Sequence, residues 1–151
     1  MSFQAEITPS DSVIVDSNGE WKINLTVGKE SISQYGGIQV YIPVGWTMPQ
    51  LNNPDKPGYV QVTVQSRDTV EWKQSIYSCR WIGVELVKGK LQKGDIVNIT
   101  YQGDAPRVPV PQSEFTVSID TQGFFIYNKL PISPALKVIS GKVAGFQVTT
   151  A

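Results

Sequence analysis

The chain has 151 residues, which is the usual size of one domain. It contains 18 Val, 14 Ile and 10 Thr but only 6 Leu and 5 Ala, so its composition argues against a helical bundle or a doubly wound α/β fold. Thirteen Lys and Arg residues balance 13 Asp and Glu residues, so the basic excess typical of a nucleic-acid-binding protein is missing.

Apolar and polar residues alternate in short segments separated by Gly and Pro, which is the pattern of half-buried strands. In chain order, strands are predicted over 3–9, 12–15, 20–27, 38–44, 59–65, 69–77, 80–88, 96–101, 114–120, 124–127, 136–139 and 143–149. Asn18-Gly19 is the strongest hairpin signal, and 45–58 is the longest irregular stretch. This rhythm predicts an all-β fold, an antiparallel Greek-key β-sandwich with a broadly immunoglobulin-like architecture.

The residue inventory removes most catalytic chemistry. The sequence has no His, which rules out His-based triads and dyads and zinc sites with His ligands. Cys79 is the single cysteine, so it forms no internal disulfide. We therefore predict no catalytic residue, no metal site and no cofactor.

Acidic residues are an alternative source of chemistry. Asp16-x-Asn18-x-Glu20 resembles part of a calcium loop, but a hairpin turn explains the same residues. Glycoside hydrolysis needs two acids that face one cleft. No spacing selects a pair among the candidate acids Glu71, Glu85, Glu114 and Asp120.

The four Trp residues suggest a ligand platform, because sugars stack on exposed aromatic rings. Alternation places Trp21 and Trp72 on the apolar side of their strands and predicts that both are buried. The rings predicted to face outward are Trp81, Tyr41 and Tyr59, with Trp46 of the long loop at the edge of the platform. The alternative is that these rings pack under a loop or against a neighbouring domain, with Trp46 closing one end of the sandwich.

A series of motifs resembles the N-terminal β region of a family of large bacterial proteins known as a domain of unknown function. The resemblance covers roughly residues 20–150. It rests on Trp21, Thr26-Val27-Gly28, Gly36-Gly37-Ile38-x-Val40, Pro43-x-Gly45-Trp46-x-x-Pro49-Gln50, Pro54-x-x-Pro57-Gly58-Tyr59-Val60, Gly94-Asp95-x-Val97, Gly103-Asp104, Glu114-Phe115-x-Val117-x-Ile119-Asp120, Gly123-x-Phe125, Pro134-Ala135-Leu136-Lys137-Val138, Gly141 and Phe146-Gln147-Val148.

The resemblance implies an accessory module of a longer protein. In that family an immunoglobulin-like stretch follows, and then a His-rich domain similar to metal-dependent phosphoesterases, whose metal ligands this chain lacks. We expect one β-sandwich domain over 1–151, with the passage to a following module beginning within 129–151.

The sequence therefore predicts a non-catalytic accessory or scaffold module. Its expected partners are downstream domains of its own polypeptide. The alternative is a module that binds a glycan or another ligand, and a self-standing hydrolase is the third reading. We expect no nucleic-acid partner and no membrane insertion, because no apolar run reaches the ~20 residues of a membrane-spanning helix. The first six residues have no secretion signal, and the compartment is left open.

Overall fold

A computed structural model describes residues 1–141, and every regular element in that range is a β-strand. The strands are β1 (Gln4–Thr8), β2 (Val13–Ile14), β3 (Asn18–Thr26), β4 (Gly37–Tyr41), β5 (Val60–Gln65), β6 (Glu71–Tyr77), β7 (Trp81–Lys88), β8 (Ile96–Asp104), β9 (Val110–Glu114), β10 (Val117–Asp120), β11 (Asn128–Lys129) and β12 (Ala135–Ile139). Over residues 1–141, no helix has the length and apolar character needed to cross a membrane.

The strands form three sheets. One has four strands in the order β1-β3-β8-β5, and a second has five strands in the order β11-β10-β4-β7-β6. A short third sheet has the order β2-β12-β9, in which β2 and β12 run parallel. All other strand pairs are antiparallel. The fold is an immunoglobulin-like β-sandwich, as the sequence predicts.

The core lies between the two large sheets, because each contributes the apolar side of its alternating strands. The four-stranded sheet buries Ile7, Trp21, Ile23, Leu25, Val60, Val62, Val97, Ile99 and Tyr101, and the five-stranded sheet buries Ile38, Val40, Ile82, Val84, Leu86, Val117 and Ile119. The predicted inward side is thus confirmed for β3, β4, β5, β7, β8 and β10.

Three local predictions are corrected. Asn18-Gly19 is not a hairpin turn, since both residues lie inside β3, opposite Asp104 and Gly103. The turn falls earlier, at Asp16, which has a φ of 57°. Gly19 instead makes room for the Trp21 ring, which lies 2.8 Å from where a Cβ would be.

The predicted strand 114–120 is divided between two sheets, since β9 ends at Glu114 and β10 begins at Val117. Residues 124–127 form a loop rather than a strand, and the φ of 63° at Phe125 lies outside the extended range of a regular strand. The predicted strand 143–149 lies outside the described residues.

Trp72 is also less buried than predicted. Its side chain is on the inner side of β6, as alternation indicated, and it packs against the core. However, β6 is the last strand of its sheet, so the ring is only half-buried.

Candidate functional site

The outer side of the five-stranded sheet carries a row of three aromatic side chains. Tyr41 of β4 lies opposite Trp81 of β7, and Trp81 lies opposite Tyr77 of β6. The ring centroids of Tyr41 and Trp81 are 5.1 Å apart, and their planes are tilted by 50°. The side chains of one register row share a face, so all three rings project away from the core.

Two glycines of this sheet, Gly83 and Gly37, are each approached closely by a tyrosine side chain. A Cβ at Gly83 would overlap the Tyr77 ring, which covers this position and leaves Gly83 buried although it faces outward. Gly37 occupies the neighbouring strand β4. A Cβ at Gly37 would meet the Val84 carbonyl oxygen first, and the Tyr127 hydroxyl oxygen next, at 2.9 Å. We call this surface, formed by Tyr41, Trp81, Tyr77 and Tyr127 over the two glycines, the aromatic face.

The Tyr127 hydroxyl lies in a partly buried and negatively charged setting. Burial raises its pKa to about 12, and the charges of Asp120, Tyr77 and Glu85 add to that increase. A phenol with a raised pKa stays protonated at neutral pH and remains a hydrogen-bond donor. Tyr127 therefore offers the aromatic face an uncharged hydroxyl group.

Asp120 organises the loop that leads to Tyr127. This carboxylate is 2% exposed and accepts hydrogen bonds from the backbone N–H groups of Gln122, Gly123 and Phe125 at 2.9–3.1 Å. The bond to Phe125 holds that residue in its left-handed conformation. The buried carboxylate thus displays the rings of Phe124 and Phe125, which are 68% and 71% exposed.

Polar side chains surround the aromatic row. Gln39 and Ser75 lie on either side of Gly83, and Lys73 lies opposite Glu85 one row further along. These groups offer an amide, a hydroxyl, a carboxylate and an ammonium group beside the rings. Aromatic faces combined with such polar groups are typical of binding surfaces.

The structure brings together two of the four residues predicted for a platform. Tyr41 and Trp81 are neighbours on the aromatic face. Tyr59, in contrast, immediately precedes β5 and lies in the other layer, next to Gln102 of β8. It belongs to a different surface because β5 pairs with β8 and not with β4 or β7.

The placement of Trp46 is corrected more strongly. Its indole is 1% exposed and contacts Trp21 and Phe115 edge-on, at centroid distances of 4.9 and 5.2 Å. Its ring N–H donates to the Ser113 hydroxyl at 2.7 Å. A ring enclosed in this way presents no face to a ligand. Trp46 joins the two layers at one end of the core.

Sequence reasoning missed Tyr77, Tyr127 and the exposed loop residues. Alternation within 69–77 already places Tyr77 on the side opposite Trp72, so that signal was available. No local pattern distinguishes Phe124-Phe125-Ile126-Tyr127 from a buried strand, because the apolar run is the same in both cases.

The candidate acids Glu71, Glu114 and Asp120 are each engaged by other groups of the chain. Within residues 1–141, no three His, Cys, Asp or Glu side chains converge. Glu71 pairs with Lys88 at 3.8 Å, and Glu114 pairs with Lys129 at 3.3 Å. Asp120 is engaged by backbone N–H groups.

No protein-family model matches the sequence, and no curated protein matches it either. Several solved structures share the fold. The chain is similar to the RrgA Jo.In complex, with a TM-score of 0.56, 13% identity and coverage of 91% of this chain and 79% of that one.

Two further likenesses are to larger bacterial proteins. A protein from Corynebacterium diphtheriae, named for an inferred membrane anchor, gives a TM-score of 0.56 at 11% identity over 93% of this chain and 36% of that one. BcpA, the major pilin subunit of Bacillus cereus, gives a TM-score of 0.52 at 11% identity, over 92% of this chain and 40% of that one. Our chain thus spans well under half the length of these two proteins. At such identities the likenesses show the fold alone, an immunoglobulin-like β-sandwich.

Proposed function

We propose that this chain is a non-catalytic accessory module of a larger multidomain protein and that the aromatic face is its contact surface. The observation that carries the proposal is the row of Tyr41, Trp81 and Tyr77 on the solvent side of a sheet. Packing of the core does not require aromatic rings at these outward-facing positions. A contiguous patch of solvent-facing apolar side chains marks an interaction surface, whereas single exposed apolar residues do not.

The glycines beneath the rings support a contact role. Gly37 and Gly83 each weaken a strand interior, where a side chain would otherwise pack. Because these positions have no Cβ, the Tyr77 ring covers Gly83 and the Tyr127 hydroxyl approaches Gly37 closely. A cluster of neighbouring rings of this kind suits contact with another folded domain. The accessory role also agrees with the family resemblance of the sequence, which implies downstream domains as partners.

The acids argue against a hydrolytic role for this face. A glycosidase needs two carboxyl groups on one cleft. Glu85 and Asp120 lie on the same register row, joined through Gly37. The Asp120 carboxylate, however, is buried and accepts three backbone hydrogen bonds. Glu85 is thus the only acid of this row that faces solvent.

A glycan is the second candidate ligand. The tilted pair of Tyr41 and Trp81 favours it, because sugar rings stack on aromatic side chains. Gln39 and Ser75 beside the pair would supply hydrogen bonds to sugar hydroxyl groups.

Hydroxyl-radical footprinting tests both candidates. Oxidation of Trp81, Tyr77 and Tyr41 is compared in the isolated chain, in a longer polypeptide that contains it, and in the isolated chain with soluble polysaccharides. Protection in the longer polypeptide supports domain docking, and protection by one polysaccharide supports a glycan. Tyr59, half-exposed in the other layer, serves as the internal control. Equal labelling in all three samples contradicts the proposal.

A further inference from the structure

Within residues 1–141, one edge of β6 has backbone groups without a strand partner. Among the described strands, β6 is the last of the five-stranded sheet, and its one neighbour is β7. On the opposite side of β7, the Leu86 N–H donates to the Gly36 carbonyl, and the Arg80 carbonyl accepts from the Ile42 N–H. The even-numbered residues of β7 therefore bond to β4, and the odd-numbered residues bond to β6, because antiparallel ladders alternate.

That alternation determines which groups of β6 are free. Lys73, Ser75 and Tyr77 lie opposite the odd-numbered residues and use their N–H and C=O groups within the sheet. The N–H and C=O groups of Trp72, Gln74 and Ile76 consequently point away from it. Within residues 1–141 none of these groups takes part in a loop or side-chain hydrogen bond.

The side chains of the same three residues leave the core incompletely covered. Trp72, Gln74 and Ile76 lie on the inner side of β6, and all three are half-buried. Trp72 and Ile76 pack against the buried cluster but remain partly accessible to solvent. The edge thus combines free backbone groups with an apolar strip, which is the chemistry that another β-strand recognises.

The order of side chains makes β6 complementary to itself. If two β6 strands run antiparallel with Gln74 opposite Gln74, then Trp72 lies opposite Ile76 of the second copy, and Ile76 opposite its Trp72. Each of these three pairs would exchange two backbone hydrogen bonds. Apolar groups then meet apolar groups, and the two amides meet each other.

The outer side of the strand fits the same register. Lys73 would lie opposite Ser75 of the second copy, and Glu71 opposite its Tyr77. No like charges would face each other directly, which removes the usual penalty for such pairs. A two-fold axis between the two Gln74 residues relates the copies. The same patch is used on both, so the assembly is complete as a dimer.

We infer that β6 is a dimerisation edge, at which a second copy of this chain adds its own β6 and extends the sheet. The aromatic faces of the two copies then lie side by side on one continuous surface. A single strand pair buries less area than a stable dimer needs, so the association is weak and depends on concentration.

Cross-linking between engineered cysteines tests this register. In a Cys79→Ser background, Lys73→Cys and Ser75→Cys chains are mixed and oxidised. Residues 73 and 75 of different copies would form a non-hydrogen-bonded pair with Cα atoms about 4.5 Å apart, within disulfide reach. Residue 73 and its own counterpart would be diagonal, at about 7–8 Å, and out of easy reach. The mixture should cross-link several-fold more than either chain alone.

Two controls make the result specific. Lys73→Cys mixed with Gln61→Cys, an exposed position in the other sheet, should give only the background level. In sedimentation at high concentration, Gln74→Lys should shift the chain to the monomer mass, because an inward-pointing lysine blocks an edge. Gln61→Lys should leave the dimer intact. Absence of a preferred mixed cross-link, or a dimer that survives Gln74→Lys, overturns the inference.

Discussion

The two large sheets have similar inner sides and very different outer sides. The outer side of the four-stranded sheet presents amides, hydroxyl groups and a few charges, as in the register row Glu6, Asn24, Asn98 and Thr63. The aromatic face of the five-stranded sheet occupies equivalent positions with rings and glycines. Both inner sides are rich in Val and Ile. Folding accounts for the inner sides and for a solvated outer side, whereas the aromatic face requires a reason outside folding.

The largest expected effect separates aromatic residues of the core from those of the aromatic face. Trp46→Ala removes a fully buried indole that contacts Trp21 and Phe115, and the free energy of unfolding should fall by ~3–5 kcal/mol. Trp81→Ala should cost only about 1 kcal/mol, because the ring is half-exposed. Urea unfolding measures both values. Comparable losses would show that Trp81 has a structural role and would remove the contrast between the faces.

Gly83→Ala tests whether the missing side chain at position 83 is what allows the Tyr77 ring to pack there. The added methyl group overlaps the Tyr77 ring, so we expect a loss of roughly 1–3 kcal/mol from overpacking. Tyr77→Ala in the same chain should remove most of that loss, since the obstructing ring is gone. Thermal unfolding of the two single variants and the double variant measures the coupling. Strictly additive losses would contradict the role assigned to Gly83.

Asp120→Ala tests how the loop at the end of the aromatic face is held. The variant leaves the N–H groups of Gln122, Gly123 and Phe125 without their acceptor. We expect a loss of about 1–2 kcal/mol and faster hydrogen exchange at these three amides. Asp11→Ala, at an exposed position, is the matched control. Unchanged exchange rates would mean that the loop holds its shape without the carboxylate.

The side of the sheet on which a residue lies was predictable, but the partner of each strand was not. Alternation depends only on neighbouring residues, and it correctly placed Tyr41 and Trp81 on the outer side of their strands. The same pattern does not separate Tyr59 from them, although β5 joins the other sheet, because strand order depends on contacts distant in sequence. Trp46 shows the same limit, since a loop residue has no alternation to indicate its burial.

The smallest expected effect concerns alkaline pH and compares Tyr127 on the aromatic face with Tyr101 in the core. Burial raises the pKa of Tyr127 from 10.0 to about 12, and burial also raises the pKa of Tyr101, whose hydroxyl donates to the Thr47 carbonyl at 2.6 Å. A folded-state pKa above the unfolded value means that the unfolded chain loses its proton first. The stability contributed by the protonated Tyr127 is therefore complete below about pH 10 and declines as the pH rises towards about 12.

Tyr127→Phe should make this decline in stability less steep, and the Tyr101 hydroxyl should account for the decline that remains. Urea unfolding across this pH range, with tyrosinate absorbance recorded in parallel, measures the difference. An identical pH dependence in the variant and the wild type would show that the Tyr127 hydroxyl is as well solvated in the folded chain as in the unfolded one, and the aromatic face would then be more open around Gly37 than the structure indicates.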